Sequence, residues 1–399
     1  MSQARRITPG LLGSLALLNA VAPFATDMYL PSFPLVTRDL GASSSQVQLT
    51  LTAFMVGMAA GQLLWGPASD RFGRRRPLLW AVVLFMVSSA LAPLSPTVWA
   101  LVAARAVQGF TGSAGVVIGR AVARDLASGP ALARVFSLLG VIGGLAPVVA
   151  PVVGGLLVGP AGWRGILWCI TVLGAAMLLA VLVAVRETLP VGARSPSGLG
   201  HVKSHIAQVA GDRRFLGFAA AQAFSFGAVF AFISASSFVL QVQYGLSSTT
   251  YSLVFAANSL MIIVGGIANA RLVGRVAPAR LLRIALLAAT GGNLALFGAT
   301  LAWGQPPLAV FQGLVMIVSL MGPPIMANTT ALGLARHGGS TAGMASAVMG
   351  AIQSAGAGLI SPLVSVGGDP TAGSLALVMV SSSVLATGSY WLLTRSAPA

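Results

Sequence analysis

Charge is scarce in this chain. Only 8% of its 399 residues are Asp, Glu, Lys or Arg, whereas a water-soluble domain carries about a quarter. Its acids number seven, its histidines three, and it has a single lysine and a single cysteine. With Cys169 alone, neither an intramolecular disulfide nor a cysteine metal site can form. One acid at membrane depth and no membrane histidine leave no pair for hydrolysis or metal work, which disfavours a membrane-embedded enzyme. No charged ring or filter-like run supports a channel. No polar stretch is long enough to hold a soluble domain, and Met1 to Gly10 is read as too short and polar for a cleaved signal peptide.

Apolar length is what the sequence has instead, at 56% hydrophobic residues. A spanning helix takes about 20 mostly apolar residues. Twelve such stretches are present, near 11–30, 46–66, 78–96, 98–119, 134–158, 164–185, 215–240, 249–269, 281–302, 306–330, 341–365 and 372–393. The expected fold is therefore an all-α membrane protein of twelve transmembrane helices.

A formal net charge of +16 raises the question of nucleic acid, and the placement of the 23 basic residues answers it. With a cytoplasmic N-terminus, twenty of them fall in the tails and cytoplasmic loops, from Arg5 and Arg6 through Arg71, Arg74, Arg75 and Arg76 to Arg395. Only Arg38 and Arg164 lie on the other side, and Arg105 lies within a span. This is the positive-inside rule, so the partner is the lipid bilayer and both termini are expected in the cytoplasm.

Residues 186–214 form the longest break, with Arg186, Glu187, Pro190, Arg194, Pro196, Gly198, Gly200, Lys203, Asp212, Arg213 and Arg214. The break divides the chain into a six-helix half at 1–185, a cytoplasmic linker at 186–214 and a second six-helix half at 215–399. Parallel repeats of six helices are a transporter architecture. Gly66, Asp70, Arg71, Gly73 and Arg74 after the second span are faintly echoed by Gly266, Arg271, Gly274 and Arg275 after the eighth.

Asp27 is the only acid at membrane depth, and it shares a helical face with Asn19, Pro23 and Thr26. Intramembrane acids and arginines are expensive and mark transport paths, so Asp27 and Arg105 are both functional candidates. Counted from their helix ends, both sit about 10 Å below the outer surface. They are expected to form a proton-coupling pair, in which a change of separation makes Asp27 take up and release a proton.

Several segments resemble known ones. Gly66-Pro67-Ala68-Ser69-Asp70-Arg71-Phe72-Gly73-Arg74 resembles the signature loop of the major facilitator superfamily. That resemblance implies a conformational latch of Gly66, Asp70, Arg71, Gly73 and Arg74, completed by Asp125 at the end of the fourth span. Arg105-Ala-Val-Gln108-Gly109 resembles the superfamily's second motif. Gly144, Pro147, Pro151, Gly154 and Gly155 in the fifth span resemble the antiporter motif of its drug:proton exporter branch. The runs Thr26 to Pro34 and Gln46 to Gly66 narrow the resemblance to the Bcr/CflA group, which includes bicyclomycin and chloramphenicol exporters.

The resemblance implies a proton-coupled exporter of small hydrophobic drugs in the inner membrane, working as a monomer with no cofactor beyond the coupling protons. A small metabolite carried out or in by the same fold is the competing expectation. Asn19, Phe54, Gln108, Phe226, Phe230, Asn258 and Asn328 are candidate substrate contacts, lining an apolar cavity with few polar groups. His201, His205 and His337 lie in cytoplasmic loops without metal-ligand spacing and are expected to be solvated.

Overall fold

The computed structural model describes residues 8–194, 209, 211–335, 337 and 341–394. Arg5, Arg6, Lys203, Arg395, His201, His205, Pro196, Gly198 and Gly200 lie outside the described residues.

The described chain is almost wholly helical, and the helices begin where the sequence supplies caps. Thr8 accepts from the Leu11 amide ahead of α1 (Pro9–Asp27), with proline at the first helical position. A short α2 (Phe33–Asp39) follows a 3-10 turn. Ser43 and Gln46 form a reciprocal capping box at the start of α3 (Ser44–Phe72). α4 (Arg75–Leu91) and α5 (Val98–Leu126) come next, the latter capped by Thr97.

The stretch Gly129–Ala184 runs for 56 residues. At 1.5 Å per residue that is about 84 Å, nearly three times the roughly 30 Å hydrocarbon core of a bilayer. It breaks at Gly162, whose φ of 62° and ψ of −174° suit only glycine, so α6 ends and α7 begins there. The second half comprises α8 (Arg213–Ser237), α9 (Ser248–Leu272), α10 (Pro278–Trp303), α11 (Leu308–Leu334), α12 (Thr341–Ile360) and α13 (Ala372–Thr394). Asp212 caps α8 by accepting from the Arg214 and Phe215 amides.

Eleven helices among the described residues are long and apolar enough to cross a membrane. Gly129–Ala184 counts once among the eleven but comprises two spans, so the spans number twelve, in two six-helix halves. Large apolar side chains such as Trp80, Trp99, Val172 and Leu301 point outward, as a lipid-facing surface requires.

The segment read as a loop between the second and third spans is mostly helix. α3 continues to Phe72, so Asp70 sits on its last turn and only Gly73 and Arg74 make the bend. That bend, Glu187 and Asp125 mark the arginine-rich end of the bundle.

The halves touch along two seams, α3 with α12 and α6 with α9. On the first, Gln62 donates to the Ser354 hydroxyl at 3.3 Å. At the opposite end of the bundle the Ser44 hydroxyl donates to Asp369 at 2.7 Å. Gln241 reaches the Pro31 carbonyl at 3.1 Å, and the rings of Phe33 and Phe238 meet at 5.8 Å, so that end is closed by cross-half contacts.

Candidate functional site

Two constellations stand out, one at the arginine-rich end and one within the membrane. At the first, the Arg74 guanidinium is nearly buried and ion-paired with Asp70. Its Nη1 also donates to the Ser69 hydroxyl at 2.8 Å, and its Nε to Asp125 at 3.0 Å. Burial alone would ease the proton off Arg74, but the hydrogen bonds and charges of Asp125 and Asp70 outweigh it and hold the proton more firmly than usual.

Glu187 closes the network from the linker. It accepts the Arg74 amide at 2.8 Å and the Arg75 amide at 3.3 Å, which are unsatisfied donors at the start of α4. Burial pushes its carboxyl up, yet the amides of Leu189, Arg74 and Arg75 and the charge of Arg194 more than cancel that, leaving it below the usual range. Thr188 donates to Asp125 at 2.7 Å. Gly73, at φ 88°, is required twice over, because a Cβ there would stand 2.4 Å from the Glu187 carboxylate.

Asp70, Gly73, Arg74 and Asp125 are thus brought together, and Arg71 is not: its guanidinium stacks on the Phe72 ring at 5.2 Å. Gly66 makes only an ordinary contact, with Val117. Ser69, Glu187 and Thr188 were missed by the sequence reading. Spacing gave no register between the linker and the α3–α4 bend, although Glu187 was the one acid available at the linker's start. The hydrogen bonds of this network join the start of the linker to the first half, at Arg74, Arg75 and Asp125.

Within the membrane, Arg105 is fully buried. Its Nη1 donates to Gln108 at 2.8 Å, and the Gln108 amide donates to Ser89 at the same distance. The guanidinium lies 4.7 Å from the Phe54 ring centroid and 5.3 Å from that of Tyr29. Its Nε and Nη2 have no hydrogen-bond partner among the described residues.

Asp27 does not pair with Arg105, contrary to the sequence expectation. Tyr29, in the turn just beyond α1, takes the side toward Arg105, and Asp27 is left on the side facing the second half. There it accepts from the Thr26 hydroxyl at 2.9 Å and lies within electrostatic reach of Tyr251, whose hydroxyl meets that of Ser236 at 3.0 Å.

The two adjacent glycines of α6 explain this closeness. A Cβ on Gly154 would stand 2.0 Å from the Met28 carbonyl oxygen, next to Asp27, and one on Gly155 would stand 2.2 Å from the Ser252 hydroxyl, next to Tyr251. One glycine therefore admits the first half and its neighbour the second. Gly144 makes only an ordinary contact, with Ile263 of α9. The helix carries Pro147 and Pro151 through its interior, and its only non-helical dihedrals fall at Gly162.

The candidate substrate contacts scatter. Asn19 donates to the Leu139 carbonyl, and Asn328 to Asn269 and Pro324; Asn258 donates to Val254, with its buried Oδ1 left without a partner among the described residues. Phe54 and Gln108 belong to the Arg105 cage. Phe230 is buried with its ring 6.0 Å from that of Phe226, which lines an apolar cavity. That cavity lies among α8, α9 and α11, with Gln222 and Met326 in its wall. His337 packs against Phe215 at 5.2 Å rather than standing free in solvent.

Twelve spans in two halves, with buried charge at the seam between them, define a membrane transport protein. The chain belongs to the Major Facilitator Superfamily, whose family model matches residues 15–362. It is 39% identical over 387 residues to the uncharacterized MFS-type transporter YdgK of Bacillus subtilis (strain 168), covering 96% of this chain and 94% of that one. It is 34% identical over 382 residues to the bicyclomycin resistance protein homolog of Haemophilus influenzae, covering 96% and 95%. Among solved structures, the D-xylose-proton symporter superposes with a TM-score of 0.75 at 16% identity, over 98% of this chain and 99% of that one, a likeness of fold. The family is one of transporters rather than enzymes.

Proposed function

We propose that this protein is a proton-coupled antiporter that exports small hydrophobic drugs of the chloramphenicol or bicyclomycin kind by alternating access. The observation that carries the reading is Asp27. It is the one acid buried within the spans, held by Thr26 and turned to the seam with the second half, beside the paired glycines Gly154 and Gly155. A carboxyl there gains or loses its proton at the surface that must rearrange when the halves rock. Arg105, caged by Phe54 and Tyr29, supplies the fixed positive charge of the same layer. The name of the Haemophilus relative supports a drug as cargo.

The network of Asp70, Arg74, Asp125 and Glu187 acts as the latch of the cycle, holding the linker in one state and releasing it in the other. The distribution of the arginines supports a cytoplasmic location for both termini and the linker, in the inner membrane. A reporter fused near Lys203 should read cytoplasm, and one near Asp369 the outside; a linker exposed outside would overturn the orientation.

The test of function uses inverted vesicles from a host without its own pumps. An imposed pH gradient, acid inside, should drive uptake of chloramphenicol or bicyclomycin, and collapsing the gradient should stop it. Accumulation that ignores the gradient would refute proton coupling.

A further inference from the structure

The two outer exceptions to the arginine pattern converge. Arg38 and Arg164 lie far apart in the sequence, yet the fold brings both to one surface pocket whose wall also holds Leu35, Asp39, Gly162 and Trp163. Gly162, at φ 62°, makes the turn from which Trp163 and Arg164 reach the last residue of α2. The pocket lies at the end of the bundle away from the Asp70 and Arg74 network.

The charges there do not balance. Asp39 Oδ2 accepts from the Trp163 indole at 2.8 Å and from the Arg164 guanidinium, whose carbon stands 4.2 Å from the Trp163 ring centroid. Trp163 is buried, so it holds the Asp39 and Arg164 pair in place. Arg38 beside them is exposed, and none of the salt bridges among the described residues includes it. Asp39 cancels one arginine and leaves the other, so the pocket carries a single net positive charge. Its spare groups are the Arg38 guanidinium, the Arg164 nitrogens not turned to Asp39, and Asp39 Oδ1 as an acceptor.

The level of the pocket identifies what meets it. Trp163 begins α7 much as Trp99 begins α5, and Trp99 and Trp303 stand exposed at the same end of the bundle, on α5 and α10. Tryptophans at span ends sit among lipid headgroups. The anions packed at that depth are phospholipid phosphodiesters, and guanidinium groups bind phosphate oxygens in forked pairs.

We propose that this pocket docks the headgroup of an anionic, hydroxyl-bearing phospholipid of the phosphatidylglycerol kind. The phosphodiester meets Arg38 and the spare N–H groups of Arg164, and a glycerol hydroxyl donates to Asp39 Oδ1. A headgroup with one negative charge matches the net charge of the pocket, whereas phosphatidylcholine brings neither net charge nor a hydrogen-bond donor. The site serves neither cargo nor proton, and it stands whether or not the export reading does.

The experiment uses the full-length protein in detergent, with Cys169→Ser and with Ala161→Cys carrying a fluorophore in the pocket wall. Phospholipids bearing a nitroxide quencher near the top of an acyl chain are titrated in. Phosphatidylglycerol should reach half-maximal quenching at a mole fraction at least fivefold lower than phosphatidylcholine. Arg38→Gln should erase that preference, Arg38→Lys should keep most of it, and Arg38→Glu should reverse it, a change of sign that misfolding could not give. Glycerophosphoglycerol, the same headgroup without acyl chains, should leave the quenching unchanged at millimolar concentration; if it displaces the lipid, the ligand is a soluble phosphodiester and the lipid assignment falls. Equal quenching by the two lipids, or a preference left intact by Arg38→Glu, would overturn the proposal.

Discussion

The two halves of the molecule share a topology and differ in chemistry. The first holds Asp27 and Arg105 at membrane depth and the Asp70, Arg74, Asp125 and Glu187 network at its arginine-rich end. The second has neither charge at comparable depth nor an acidic network, and where the first has Asp70 the faint repeat has Ala270. It has amides and hydroxyls instead: Gln222 with Thr329 and Thr330, Asn328 with Asn269 and Thr290 with Thr387. Charge that can be gained or lost suits switching, while neutral donors in an apolar wall suit holding a ligand. We read the difference as a division of labour, in which the first half handles the proton and the second the cargo.

The largest expected break comes at Asp27. Asp27→Asn should lower pH-driven drug accumulation in inverted vesicles at least a hundredfold, while Asp369→Asn, the one comparable change available beyond the linker, should cost less than threefold. Equal losses would erase the contrast. Arg105→Ala should also stop turnover, with Arg105→Lys recovering only part, because an ammonium lacks the planar fork that lies between Phe54 and Tyr29 and reaches Gln108.

Next in size is the seam itself. Gly154→Ala forces a methyl against the Met28 carbonyl, and overpacking of this kind costs about 1–3 kcal/mol. A lowered thermal midpoint together with lost transport is expected; a midpoint and rate equal to wild type would show that the two helices part easily. Gly144→Ala, at an ordinary contact distance, serves as the mild control.

The linker contact should respond to pH with a fixed sign. The Glu187 carboxyl is held below its ordinary value, so its contribution is present above that ordinary value and disappears as pH falls through the lowered one. Limited proteolysis of the linker should accelerate only in that acid range, and Glu187→Gln should show the fast rate already at pH 7. A mutant cut as slowly as wild type at pH 7 would remove Glu187 from the tether. Smallest is Asn328→Ala, which removes one buried hydrogen bond to Asn269 and should cost about 1 kcal/mol with transport nearly unchanged. A severe transport defect there would show that the second half does more than hold the ligand.

Much of the fold was legible because apolar length and arginine placement are properties of the chain itself. The twelve spans follow from them, and even the merged stretch 129–184 separates where Gly162 and the outer Arg164 fall. The charged network was partly legible, since the resemblance of Gly66 to Arg74 to the superfamily's signature loop implied that Asp70, Gly73, Arg74 and Asp125 come together. Glu187 was not, because its partners are backbone amides and nothing in spacing shows which loop meets them. Matching depth placed Asp27 and Arg105 in one layer but could not give azimuth; Tyr29, in the turn just beyond α1, meets the arginine, while Asp27 lies near Tyr251. The cavity at Gln222 was illegible because it depends on which faces of α8, α9 and α11 are left unfilled.

The division of labour is tested most directly by drug-induced proton release from purified protein in weakly buffered detergent, with ligand binding measured on the same samples. Wild type should release protons on adding chloramphenicol. Asp27→Asn should bind the drug within about threefold of wild type and release none. Proton release by Asp27→Asn equal to that of wild type would contradict the account.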